Sequence, residues 1–156
     1  MNIMKGSIAG LFASPKGGAP KPQVQRLDIT VDGCIGDFQR DKKHHGGTQR
    51  AVCLFSEEVI TTLQAEGHPI FPGSVGENIL LREVDWNNLK VGSQLFFEQL
   101  VLEVTSDAPP CKTIRDSFTD GQFTKISAKI EQKLTRWYAK VITEGQVYVG
   151  ENVNFN

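Results

Sequence analysis

The sequence contains no long apolar segment and no excess of charge of either sign. Its apolar runs fall far short of the roughly 20 residues that a membrane-spanning helix needs. The short run over residues 8–13 is not followed by a signal-peptide cleavage site. Lysine and arginine number 17 against 18 acidic residues, so no basic surface indicates a nucleic-acid partner. We therefore expect a cytoplasmic protein that has a small-molecule substrate and no nucleic-acid or membrane partner.

Cysteine is also scarce. The three cysteines are Cys34, Cys53 and Cys111, and they lie far apart in the sequence. An odd number without close spacing argues against a disulfide framework and indicates a reducing compartment. No CxxC pair is present, which disfavours a structural zinc site. The GxGxxG and GxxxxGK(S/T) motifs of nucleotide-binding loops are missing too.

Short apolar segments recur along the 156 residues, a length that fits one domain. They predict strands at residues 8–13, 24–31, 51–55, 79–81, 95–97 and 100–105. Residues 91–97 and 149–155 resemble each other, and each stretch places glycine just before alternating apolar residues, as in strands that enter a curved sheet. We predict a single domain over residues 1–156, mainly β with attached α-helices, whose strands form a small closed β-barrel.

Two helical segments are predicted. Ser56 is a typical N-cap, with Glu57 and Glu58 favourable in the first turn and Gly67 ending the helix. Apolar residues then recur at spacings of four, four, three and four, at Ile126, Ile130, Leu134, Trp137 and Val141. This spacing predicts a C-terminal helical segment at about residues 112–142, followed by a final strand over residues 146–155.

Cys111 is the strongest candidate for chemistry. Pro109 and Pro110 prevent a helix before it, whereas the residues after it can be helical. A cysteine that begins a helix beside Lys112 and near Arg115 is in a setting that favours the thiolate, which is both a nucleophile and a soft metal ligand. The alternative is a cysteine that packs as a small apolar residue. Cys53, inside an apolar strand, and Cys34 are left out of the site.

The segment of residues 42–47 is a second candidate. Gly46 and Gly47 allow the backbone to approach a ligand and to offer N–H groups to an anion, and His45 adds positive charge when it is protonated. A solvated polar loop is the alternative. A metal site on one helix face, formed by Asp37, Asp41 and His45, is a third possibility, but the glycines on both sides disfavour that helix.

The segment of residues 73–79 is the third candidate. Glycines precede a predicted strand, so Glu77 and Asn78 would be held rigidly where the strand begins. Asn78 has both donors and acceptors and could recognise the edge of a heterocycle. A turn with two exposed polar residues is the alternative.

Together, and in this order, these segments resemble the MOSC family, named for the C-terminal domain of molybdenum-cofactor sulfurase. The resemblance covers roughly residues 16–114 and is greatest to bacterial stand-alone MOSC proteins. It is carried by Gly36 and Asp37, by His45, Gly46 and Gly47, by Gly76, Glu77, Asn78 and Ile79, by Leu89 to Gly92, and by Pro110 and Cys111. It implies a barrel of the pyruvate-kinase-barrel-like type. In the family, the cysteine either ligates molybdenum in a bound molybdenum cofactor (molybdopterin) or carries sulfur as a persulfide.

The resemblance also implies roles for residues of this chain. Cys111 would be the catalytic residue and the metal ligand. The other cofactor-binding residues would be His45, Gly46, Gly47, Glu77 and Asn78, with Lys16, Lys21 and Arg115 for the pterin phosphate. Some relatives reduce N-hydroxylated bases or amidoximes with electrons from a flavin-containing partner, and this reaction is our first hypothesis. The second is a non-redox sulfur carrier served by a cysteine desulfurase, and the third is a metal hydrolase that uses Asp37, Asp41 and His45.

Overall fold

The computed structural model describes residues 4–38 and 47–156. Within these residues the strands are β1 (Met4–Phe12), β2 (Gln23–Val24), β3 (Arg26–Thr30), β4 (Gly33–Cys34), β5 (Val52–Ser56), β6 (Ile79–Arg82), β7 (Gln94–Phe96), β8 (Val101–Ala108), β9 (Arg136–Thr143), β10 (Gly145–Tyr148) and β11 (Asn152–Phe155). One α-helix is described, α1 (Glu57–Ala65), together with short 3-10 turns. No helix in this part of the chain is long and apolar enough to cross a membrane.

Seven of the described strands close into a barrel. Their order is β11-β7-β8-β9-β5-β6-β1, and β1 pairs back onto β11. Neighbouring strands are antiparallel except β5 and β6, which are parallel. Strand β2 pairs antiparallel with the end of β1. Strands β10, β3 and β4 form a separate small sheet. The prediction of a mainly β protein with a closed barrel is confirmed.

The helix α1 forms where its local signals predict it. The Ser56 hydroxyl accepts a hydrogen bond of 3.3 Å from the Val59 backbone N–H, as an N-cap does. Val59, Ile60 and Leu63 are buried and pack the helix against the core. Gly67 follows the last turn with a φ of 96°, a left-handed conformation that glycine adopts without a steric penalty.

The two similar stretches become neighbouring strands. Within them, β7 and β11 pair antiparallel, with Asn154 opposite Phe96 and Phe155 opposite Leu95. Gly92 and Gly150, which precede these strands, have φ values of 93° and 90°. Each glycine therefore turns the chain into the barrel at a corner where other residues would be strained.

The predicted C-terminal helix over residues 112–142 is wrong in its second half. Short 3-10 turns occupy Lys112–Ser117, Thr119–Gly121, Phe123–Ile126 and Gln132–Leu134. Residues from Arg136 onward form β9, which lies between β5 and β8 in the barrel. Both faces of β9 are covered at its start, so its apolar residues follow one another and match a helical spacing by coincidence. Ile130, a member of that spacing, is 67% exposed. The predicted final strand is divided into β10 and β11.

Candidate functional site

The candidate site lies on the face of β5, β9 and β8 that points away from Leu54 and Trp137. Because successive residues of a strand point to opposite faces, Cys53 and Tyr138 share this second face. They are register partners and form a small apolar cluster with Ala108, separate from the main core. Strand β8 ends at Ala108, and the chain then continues through Pro109 and Pro110 to Cys111.

Cys111 leads into the 3-10 turn Lys112–Ser117 in an extended conformation. Its side chain is partly exposed, and its Sγ lies 2.9 Å from the Thr113 Oγ1. Lys112 and Arg115 are exposed on the same turn. The structure therefore places a partly exposed thiol at the start of the turn that carries Lys112 and Arg115, and this turn is a 3-10 helix.

Asn78 is fully buried, as is Glu77, so the alternative of two exposed polar residues is wrong. The Asn78 Oδ1 accepts a hydrogen bond of 3.0 Å from the Cys53 N–H. Its Nδ2 donates to the Phe12 carbonyl at 3.2 Å and to the Asp37 Oδ2 at 2.9 Å. Both amide donors of Asn78 are therefore used within the protein, and a contact between Asn78 and a cofactor stays a prediction.

Asp37 and Lys21 form a buried ion pair next to Asn78. The Lys21 Nζ donates to the Asp37 Oδ2 at 2.5 Å, and the two side chains are only 5% and 3% exposed. The other oxygen, Oδ1, accepts a bond of 2.8 Å from the Ser14 N–H. The charge of Lys21 is thus compensated by Asp37, and its predicted role at the pterin phosphate stays a prediction. The sequence indicates Asp37 as part of the family resemblance and as a possible metal ligand, but it does not predict this ion pair.

Two other predicted site residues, Lys16 and Gly47, lie on loops. Lys16 is exposed on the loop after β1, and Gly47 has a φ of 90° where it precedes the turn Thr48–Arg50. His45 and Gly46 lie outside the described residues, as does Asp41 of the suggested metal triad. Among residues 4–38 and 47–156, no group of three histidine, cysteine or acidic side chains is placed to hold a metal ion.

Glu77 is a buried carboxyl group beside this network. Its Oε2 accepts a bond of 2.9 Å from the Gly73 N–H, whereas its Oε1 has no hydrogen-bond partner in the described part of the chain. Burial raises the pKa of Glu77, and backbone N–H groups and the Arg136 guanidinium oppose this shift. The environment therefore favours the neutral acid.

Arg136 is a site residue that sequence reasoning missed. It is the first residue of β9 and is only 7% exposed. Its Nη1 donates to the Val75 carbonyl at 2.7 Å, and its Nη2 donates to the carbonyls of Ala108 and Pro109 at 3.4 and 3.3 Å. A helical interpretation gave Arg136 no special place. A strand interpretation would have identified it as a cation next to buried aromatic residues, which is uncommon.

The turn Thr48–Arg50 is anchored on the same face. The Thr105 Oγ1 donates to the Gln49 carbonyl at 2.5 Å, and the Arg50 guanidinium lies 5.4 Å from the centre of the Tyr138 ring. Burial, and to a smaller extent Cys53, raises the pKa of Tyr138 to about 12. The turn that follows Gly47 therefore lies beside Tyr138, which is the register partner of Cys53.

The other two thiols are unsuited to thiolate chemistry. Cys34 and Cys53 are buried, and burial raises the pKa of both thiols. The prediction that they lie outside the reactive site agrees with this burial. Of the three cysteines in the sequence, Cys111 alone is partly exposed.

A surface depression of about 390 Å³ lies elsewhere, between α1 and the turn Trp86–Asn88. It is lined by Ser56, Glu58, Val59, Thr62, Val84, Asp85, Trp86, Asn87, Lys133 and Leu134. None of the predicted site residues that the structure describes lines it.

Residues 41–154 match the family model of the MOSC domain. The chain belongs to the MOSC family. Among curated proteins, this MOSC chain is 27% identical to YflK of Bacillus subtilis (strain 168) over 135 residues, which cover 85% of the chain and 60% of YflK. It is 23% identical to YiiM of Escherichia coli (strain K12) over 152 residues, 94% of the chain and 67% of YiiM.

A solved structure supports the fold. The YUAD protein of Bacillus subtilis superposes on this MOSC domain with a TM-score of 0.73 at 19% identity, covering 99% of this chain and 97% of that one. At this identity the likeness concerns the fold alone. The MOSC chain spans only about 60% of the length of YflK, so the activity of the whole relative is not transferred to it.

Proposed function

We propose that this MOSC protein binds the molybdenum cofactor and reduces small N-hydroxylated compounds, with Cys111 as the protein thiolate that ligates molybdenum. The observation that carries the proposal is the contrast between the thiols. Cys111 is partly exposed beside Lys112 and Arg115, whereas Cys34 and Cys53 are buried. A substrate could therefore reach Cys111 from solvent, whereas it could not reach the other two thiols.

The donor set fits this cofactor. The described residues supply one accessible soft ligand at Cys111 and no cluster of three metal-binding side chains. A metal held there would have to bring most of its own ligands, as molybdenum does when a pterin dithiolene binds it. When bound, the cofactor would supply the two-electron redox chemistry, and the protein would supply binding and orientation.

The protein's own residues would then have distinct tasks. Lys112 and Arg115 are exposed cations that suit an anionic phosphate, and Lys16 and the backbone of Gly47 are further candidates. By the family resemblance, His45 and Gly46 would also line the proposed pocket. Asn78, held by Cys53 and Asp37, and the buried acid Glu77 would form the rigid wall behind it.

A molybdenum-dependent reductase needs an electron donor, and we propose a flavin-containing protein as that donor. The protein would act in the cytoplasm, where the free thiol of Cys111 stays reduced.

The deciding experiment is the molybdenum and pterin content of protein made in a cofactor-competent host. Wild type would be compared with Cys111→Ser and with the matched control Cys34→Ala, which removes a buried thiol. We expect near-stoichiometric molybdenum in wild type and the control, with loss in Cys111→Ser. Reduction of N-hydroxylated bases or amidoximes by a chemical donor should disappear in the same variant.

The alternative has its own result in this experiment. If no variant holds molybdenum and mass spectrometry finds a persulfide on Cys111 after incubation with a cysteine desulfurase and cysteine, Cys111 is a sulfur carrier. In that case the desulfurase sulfur is transferred to the Cys111 thiolate and then to an acceptor thiol, and the reductase proposal fails.

A further inference from the structure

One buried side chain connects the two segments that form the candidate site. The Arg136 guanidinium donates through Nη1 to the carbonyl of Val75, 61 residues away in sequence. Through Nη2 it donates to the carbonyl of Pro109, 27 residues away, and to that of Ala108. A guanidinium presents five N–H donors in a fixed planar fork, so these bonds also fix the direction of the contacts.

Two of these three carbonyls, those of Val75 and Pro109, lie close in sequence to residues of the proposed site. Val75 belongs to the loop of residues 73–78, which ends in the buried Glu77 and Asn78. Pro109 is two residues before Cys111, and the intervening Pro110 restricts the backbone. A shift of the Pro109 carbonyl is therefore transmitted to Cys111.

The charge of Arg136 is costly where it lies. The side chain is 7% exposed, and its Nε has no hydrogen-bond partner within the described residues. Burying a cation is unfavourable unless its partners compensate for the lost water. Two apolar side chains that pack together would hold the same backbone segments at a smaller desolvation cost. The placement of a rigid cation at this point suggests a function in addition to stability.

We propose that Arg136 is a positioning residue for the Cys111 thiol, because it holds the segment of residues 109–111 against the loop of residues 73–78. The proposal rests on the proposed function of Cys111 as the reacting thiol. Arg136 acts through the backbone carbonyls and does not itself contact the reacting atoms.

The test uses Arg136→Lys and Arg136→Gln in the full chain, with Arg82→Gln as the matched control. Arg82 is half-exposed and paired with Glu57. Thermal unfolding checks that each variant is folded. Hydrogen exchange is then measured at the amides of Gly76 and Ile114, which both lie in hydrogen-bonded turns. Mass spectrometry follows the rates of Cys111 with neutral iodoacetamide and anionic iodoacetate.

Arg136→Gln should accelerate exchange at both amides by roughly tenfold or more, because the shared contact is lost. The iodoacetate rate should fall relative to the iodoacetamide rate by roughly threefold, because a nearby cation is removed. Arg136→Lys keeps the charge but not the fork, so it should retain the rate ratio while exchange is accelerated. Arg82→Gln should match wild type in both measurements.

Wild-type exchange and a wild-type rate ratio in the folded Arg136 variants would overturn the proposal. In Arg136→Gln, acceleration across the whole barrel with an unchanged ratio would also overturn it, since that is the result of a purely structural role. If neither variant folds, the wild-type protein provides the test. The amides of Gly76 and Ile114 should then exchange at similar rates after correction for the intrinsic effect of sequence. Rates that differ by more than roughly tenfold would contradict a shared contact. None of these readouts needs cofactor. Retention of molybdenum by Cys111→Ser would therefore refute the proposed function and leave this result standing.

Discussion

The Asn78 Nδ2 donates a hydrogen bond of 2.9 Å to the Asp37 Oδ2 across 41 residues of sequence. The same carboxylate oxygen accepts from Lys21, and the Asn78 Oδ1 accepts from the backbone of β5. One buried amide therefore joins the start of β6 to β5, to the end of β1 and to the loop after β4. The proposed cofactor pocket would be built on this network.

Asn78→Ala should lower the free energy of unfolding by about 2–4 kcal/mol, because it leaves the Cys53 N–H and the Phe12 carbonyl without a partner in a buried setting. Urea denaturation measures the loss. Asn88→Ala is the control, since Asn88 is exposed and its side chain bonds to the nearby Asp85. The control should change stability by less than about 0.5 kcal/mol. Equal losses in the two variants would contradict the assigned network.

Gly73→Ala should destabilise the protein by about 3 kcal/mol. Gly73 has a φ of 87°, and a Cβ there would lie 2.5 Å from the Lys21 carbonyl oxygen and 2.7 Å from the Phe12 ring. The strain of the left-handed backbone and the steric clash therefore add. Gly92 has a φ of 93° but open space around the added Cβ, so Gly92→Ala should cost only about 1–2 kcal/mol. A smaller loss for Gly73→Ala than for Gly92→Ala would disprove the close approach of Lys21.

Glu77 should make the protein less stable as the pH rises. Burial raises its pKa in the folded state above the ordinary value of 4.5, so the folded protein holds the proton more tightly than the unfolded chain. The stability it confers is complete below the unfolded pKa and is lost as the pH rises through the folded pKa. Melting temperatures from pH 4 to pH 8 should therefore fall more steeply for wild type than for Glu77→Gln.

Glu98→Gln is the control for this comparison, because Glu98 is exposed. Its profile should run parallel to that of wild type. Parallel profiles for Glu77→Gln and wild type would mean that Glu77 has the same pKa in the folded and unfolded states, which would contradict this prediction.

Cys111 should be the thiol that reacts first in the native protein. Iodoacetamide should modify it quickly, whereas the buried Cys34 and Cys53 should react roughly 100-fold or more slowly because they require local opening. Peptide mass spectrometry identifies the modified residue, and denaturant should make all three cysteines reactive. Fast modification of Cys53 would show that the face beside Tyr138 is open.

The sequence by itself determined the structural features that arise from interactions between residues close together in the chain. Ser56, the acidic first turn and Gly67 specify α1, because a cap acts within one helical turn. The apolar run at residues 51–55 specifies a buried strand, and the similar stretches containing Gly92 and Gly150 mark two barrel corners. Pro110 and Cys111 followed by two cations identify the accessible thiol. The family resemblance then related these pieces to one another.

Tertiary structure alone decided the features that join distant segments. The helical spacing of apolar residues that starts at Ile126 includes Trp137 and Val141, yet residues 136–143 pair with β5 and β8, because completing the barrel's hydrogen bonds outweighs a weak local preference. The bonds of Arg136 to Val75 and Pro109, and of Asp37 to Lys21 and Asn78, depend on that pairing. No local pattern encodes such contacts. The thiol was therefore evident from the sequence, whereas the side chains that hold its surroundings in place became evident only when the barrel closed.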